Sequence, residues 1–236
     1  MTPDEWLVCA DPLAMLDVLF PLHGSGSMAE QPRKLRLYYC ALARLIWPVL
    51  PGPHRTTIEA AERLADDGAD TGNEIAPVRE LARRMHRFDG DPDDLDEWRR
   101  GLLDAGFVLT EPVRPPRWTD EQWRNYTILV GLPLESIVPN ARWIPKAIHR
   151  ADLVRDAFLH RDVRIHFDPG WRTASAVALA QSMYRSRDFA AMSALGDVLE
   201  ESGCDHCVVL DHCRNPYSPH ARGCWIVDEL IADVPE

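Results

Sequence analysis

At four expected helix starts a capping side chain stands directly before a proline: Thr2-Pro3, Asp11-Pro12, Asp91-Pro92 and Asp168-Pro169. The pairing has one physical meaning. The side-chain oxygen accepts one of the orphan backbone N–H groups at a helix start, and proline fits the first helical position because it has no N–H to leave unpaired. Thr2 with Glu5 and Thr119 with Gln122 also have capping-box spacing. A chain punctuated in this way builds many short helices.

Hydrophobic periodicity fills in the elements. Helices are expected over about 3–9 and 12–20, followed by the linker-like Gly24-Ser25-Gly26-Ser27. Between Pro32 and about Val49, Leu35, Tyr38, Leu42 and Leu45 repeat at helical spacing, with Tyr39 and Ile46 widening the stripe. Arg33, Lys34, Arg36 and Arg44 lie largely off it and read as a solvated basic edge. A helix over 56–66 ends in an Asp-rich, Gly-containing stretch whose spacing does not fit a calcium loop. Helices follow over 74–88, 92–105 and 119–130. Glu111-Pro112-Val113-Arg114-Pro115-Pro116 cannot be helical.

In the last third, Leu153, Ala157 and Phe158 line one helix, and Val177, Ala180 and Tyr184 line the next. Asp188 can cap a further helix carrying Phe189, Met192, Leu195 and Leu199, stopped by Gly203. A short helix over about 205–213 and a last one from near Cys224 complete the chain. Period-2 alternation is confined to 107–109 and 163–167. The expectation is therefore a mainly α fold, a multi-helix array or bundle with at most a small β-ribbon. Its regions are an N-terminal helical region over 1–106, a proline-rich connector and irregular segment over 107–146, and a helical Cys/His-rich unit over 147–236.

Charge narrows the partners. The formal charge of −11 repels nucleic acid. No apolar run approaches the roughly 18–20 residues of a membrane span, and the acidic start Met1-Thr2-Pro3-Asp4-Glu5 lacks a signal-peptide layout. The expected setting is the cytoplasm, where cysteines stay reduced. A chain of 236 residues does not need a disulfide scaffold to fold.

The chemistry concentrates near the end. Residues 203–225 hold four of the six cysteines and three of the nine histidines. Zinc takes four ligands in a tetrahedron. Cys204, Cys213, His220 and Cys224 can supply them, with Cys207 or His212 as substitutes. Buried cysteines also pack as small hydrophobes, so a metal-free core is the competing reading. A thiolate nucleophile needs a nearby histidine base; His212 and Cys213 are adjacent and point about 100° apart on a helix, so they cannot pair directly, and Cys213 with His220, or Cys224 with His212, would need the fold to bring them together. Trp98, Trp118 and Trp123 near the connector are candidates for a partner surface.

The runs Leu210-Asp211-His212-Cys213-Arg214 and His220-Ala221-Arg222-Gly223-Cys224-Trp225-Ile226-Val227-Asp228 resemble a family of uncharacterised bacterial proteins with a C-terminal LxHCR…HxRGCWxxD motif. Glu5-Trp6-Leu7 and Arg33-Lys34-Leu35-Arg36-Leu37 are similar to its start. The resemblance spans roughly the first 50 and last 90 residues. It implies a shared domain and no particular activity.

With no catalytic motif found, the expected function is a non-enzymatic helical adaptor or protein-interaction module without a cofactor, acting on a protein partner rather than nucleic acid or membrane. The alternative is a zinc- or thiol-dependent enzyme using the Cys/His cluster, or a structural zinc at the same place.

Overall fold

The structure, a computed structural model, describes residues 1–19, 32–45, 47, 52–67 and 147–232. Of these residues 68% are helical and none is in a strand, so the chain is mainly α. Nine α-helices are seen among the described residues: α1 Pro3–Val8, α2 Pro12–Leu19, α3 Pro32–Arg44, α4 Gly52–Asp67, α5 Ala147–Ala157, α6 Ala174–Ser186, α7 Met192–Glu201, α8 Cys207–Arg214 and α9 Trp225–Ile231. The expected helices at 74–88, 92–105 and 119–130, the connector over 107–146, and Trp98, Trp118 and Trp123 lie outside the described residues.

The caps form as the sequence dictates. Thr2 and Glu5 close a reciprocal capping box, with Glu5 N donating to Thr2 Oγ1 at 3.2 Å and Thr2 N to Glu5 Oε2 at 2.8 Å. Ala14 N donates to Asp11 Oδ1 at 3.3 Å. Asp168 caps as expected, but what it opens is the single 3-10 turn Pro169–Trp171; Thr173 then caps α6. Asp188 accepts from Ala190 N at 3.0 Å in the turn before α7, whose own cap position is Ala191. The helix expected to reach Val49 is α3, which ends at Arg44. Helix α4 begins earlier than expected, at Gly52, with Pro53 in its first turn where a missing N–H costs nothing. Residues 163–167 take no regular structure; Ile165 and Phe167 pack their side chains on the second core.

Two apolar cores result. The first joins Trp6, Met15, Leu35, Tyr38, Ile58 and Val154, from α1 to α5. The second joins Trp171, Met183, Leu195, Leu199, Val209 and Ile226, from the 3-10 turn to α9. Each fully buried Leu, Ile or Met contributes about 1.5–3 kcal/mol. Helix α5, the start of the Cys/His-rich unit in the sequence reading, packs on α2 and α3. The tail joins the two cores: Ala221 lies against the first, while Cys224 and Trp225 belong to the second. No helix among the described residues is long and apolar enough to cross a membrane.

Candidate metal centre

The segment between α8 and α9 is shaped by short-range bonds. Asn215 Oδ1 accepts from Tyr217 N at 3.0 Å, and Asn215 Nδ2 donates to Ser218 Oγ at 2.9 Å, which folds the chain back after α8. Gly223 then adopts φ +96°, a left-handed conformation that costs glycine least. A Cβ on Gly223 would stand 3.0 Å from the Cβ of Leu37, so the tail presses its backbone directly onto α3. Cys224 follows at the start of α9.

This path carries His220 and Cys224 to Asp156 on α5 and His212 on α8. Each of the four offers a ligand atom, and these atoms lie within 4.8 Å of one another. His220 Nδ1 is 2.8 Å from Asp156 Oδ1, His212 Nε2 is 3.2 Å from the same oxygen, and His212 Nε2 is 3.4 Å from Cys224 Sγ. A tetrahedral zinc ion with bonds of about 2.0–2.3 Å spaces its ligands about 3.3–3.7 Å apart. The two spacings around His212 Nε2 are close to that; His220 Nδ1 and Asp156 are nearer, at direct hydrogen-bond distance, and the remaining pairs lie within 4.8 Å. Asp156 Oδ2 is held by Ala221 N at 2.9 Å, which fixes the carboxylate. The His212 ring packs against His220 and Trp225 at centroid distances of 5.0 and 5.3 Å.

The electrostatics match this convergence. Burial alone would raise the Asp156 carboxyl; the hydrogen bonds with His212 and His220 outweigh it and hold the group at about 2. Burial, followed by the Asp156 charge, pushes the Cys224 thiol well above its ordinary value. Cys224 is fully buried. Such a thiol is not a free thiolate nucleophile, and a bound cation would have to deprotonate it. The geometry points the same way. In a Cys–His–Asp catalytic triad the thiol and the carboxylate occupy opposite ring nitrogens. Here both crowd Nε2 of His212, and one N–H cannot serve both.

Of the sequence candidates, His220, Cys224 and the substitute His212 are therefore brought together, and Asp156 joins them. Cys204 and Cys213 are buried in the second core. Cys204 closes a Schellman turn after α7: Gly203, at φ +90°, donates its N–H to Glu200 O at 2.9 Å, and Cys204 N to Leu199 O at 3.0 Å. Cys213 sits where α8 crosses Gly196, at which a Cβ would come within 3.0 Å of its own. Burial raises its thiol to about 12. Cys207 is exposed. Asp156 was readable as a carboxylate three residues after Leu153, on that helix's apolar stripe.

A second polar cluster lies beside the first. Glu62, almost fully buried, pairs with Arg44, whose Nη2 is 2.8 Å from Oε2, and with Arg187 at 2.6 and 2.9 Å. Arg222 approaches Glu62 at 3.6 Å, bonds Asp66, and lies over the Tyr184 ring at 4.2 Å. Arg33 pairs with Asp228. Arg33 and Arg44, a solvated edge by sequence, are thus ion-pair partners between helices. No family model, curated protein or solved structure matches the chain.

Proposed function

We propose that this protein is a non-enzymatic helical interaction module whose tail is locked to α5 by a structural zinc ion. Asp156, His212, His220 and Cys224 are the ligands. One observation carries the zinc reading: the four side chains come from three separate places in the chain and converge with ligand atoms within 4.8 Å, nearly closed to solvent. A thiolate with two imidazoles and a carboxylate suits zinc among the common divalent ions. Four protein ligands fill its tetrahedron and leave no position for a substrate, which supports a structural role.

Cobalt substitution tests this. Cobalt(II) in the site should give the intense visible bands of a four-coordinate ion and a thiolate charge-transfer band, both lost in Cys224→Ser. Bands that change on adding azide would reveal an exchangeable position, and with it the metalloenzyme alternative. A spectrum identical to that of aqueous cobalt would remove the centre altogether.

A further inference from the structure

A cavity of about 170 Å³ lies between α3, α4, the residues after α6 and the tail. That is room for several water molecules or a small organic ligand. Its wall has two characters. Leu37, Ala41, Leu45, Leu153 and Phe189 form an apolar side. Arg44, Arg187, Arg222, Glu62 and His220 form a polar side.

Two polar atoms on that side are unmatched. Arg222 Nε is buried with no hydrogen-bond partner, although its two terminal nitrogens face Glu62 and Asp66. A guanidinium N–H is always a donor. His220 Nε2 is also buried without a partner, on a side chain only 6% exposed. The Nδ1 of that ring is turned to Asp156, which does not line the cavity, so Nε2 is left on the cavity side. Buried polar atoms of this kind require a partner.

We propose that this cavity binds a small organic monocarboxylate with a short apolar chain. The carboxylate accepts from Arg222 Nε, and the chain rests on Leu37, Ala41 and Phe189; His220 Nε2 is a second donor only when it carries the ring proton, as it does when Nδ1 holds a metal. The apolar side gives an inorganic ion nothing to contact, which favours an organic anion over phosphate. The site lies outside the proposed metal tetrahedron and does not need the metal to be bound; it shares only His220 with it.

Calorimetric titration of the full chain tests the proposal, with sodium butyrate and sodium phosphate as probes, before and after chelation. Saturable butyrate binding is expected, about ten-fold or more tighter than phosphate. Ala41→Leu projects carbon into the cavity and touches no metal ligand; it should weaken butyrate by about ten-fold or more while circular dichroism stays helical. In nitrogen-15 spectra the Arg222 Nε–H resonance should move on adding butyrate. Absence of saturable binding, tighter binding of phosphate, or an unchanged affinity in Ala41→Leu would each overturn the proposal. Failure of butyrate to bind a zinc-loaded protein sinks the cavity alone. Butyrate binding by a chain that takes up no zinc leaves the cavity standing and removes the zinc reading.

Discussion

Arg33 and Asp228 stand 195 residues apart and meet through two hydrogen bonds, Nη1 to Oδ2 at 2.7 Å and Nη2 to Oδ1 at 3.2 Å. Arg33 Nη2 also donates to the Tyr184 hydroxyl at 2.8 Å, and that hydroxyl bonds Asp66. Helices α3, α4, α6 and α9 are thereby tied at one point. Arg33→Met removes one member and leaves Asp228, whose side chain is 10% exposed, without its partner. The expected cost is about 2 kcal/mol. Urea unfolding measures it; a change within about 0.5 kcal/mol, typical of an exposed surface site, would contradict the role given to the pair.

Two left-handed glycines among the described residues, Gly203 and Gly223, separate backbone strain from close packing. At Gly203 a Cβ meets nothing within 4 Å, so Gly203→Ala carries the conformational cost alone, about 1 kcal/mol. At Gly223 the same strain is joined by the 3.0 Å approach to Leu37, and Gly223→Ala should cost about 2–4 kcal/mol. The substitution also shifts the neighbouring Cys224. Equal costs at the two positions would show that the tail does not press on α3 as described.

Acid sensitivity follows from Glu62. Burial alone would raise its carboxyl; the hydrogen bonds from Arg44 and Arg187, then their charges, outweigh this and hold it below the ordinary 4.5. A depressed carboxylate contributes stability that is complete above its unfolded value and is lost as pH falls through the lower folded value. The wild-type protein should therefore lose stability as pH drops below about 4.5. Glu62→Gln should be less stable at neutral pH and lose less on acidification in that window. A steeper acid loss in Glu62→Gln would contradict the ion pairing.

The cysteines divide into ligand and filler. Cys204→Ala and Cys213→Ala should retain bound zinc, with each lowering stability by about 1 kcal/mol through lost packing. Asp156→Asn and Cys224→Ser should lose the metal. Loss of zinc in Cys204→Ala with the fold intact would return the centre to the cysteine-rich set suggested by spacing.

That contrast shows how far the sequence was legible. Short-range chemistry was readable: the Thr2–Glu5 capping box, the Gly203 stop and the apolar stripes depend on neighbours three or four residues away. The metal centre was half readable. His212, His220 and Cys224 stand within a dozen residues of one another, but His220 and Asp156 are 64 apart. Only the packing of α5 against the tail brings Asp156 in, and no local pattern encodes that. Cys204 resembled a ligand because a concentration of cysteines and histidines reads the same whether a given thiol faces a metal or fills a Schellman turn. Arg33 and Arg44 lay off the apolar stripe as surface residues do; their carboxylate partners come from α4 and α9.

The most direct test of the central claim is zinc content, measured by elemental analysis of the full chain purified without a metal-binding tag, together with its melting temperature before and after chelation. About one zinc per chain is expected, and chelation should lower the melting temperature, because metal binding adds to folding free energy in a site the unfolded chain lacks. A zinc content near zero after incubation with zinc, with a melting temperature indifferent to chelator, would mean that Asp156, His212, His220 and Cys224 hold the tail by hydrogen bonds and packing alone.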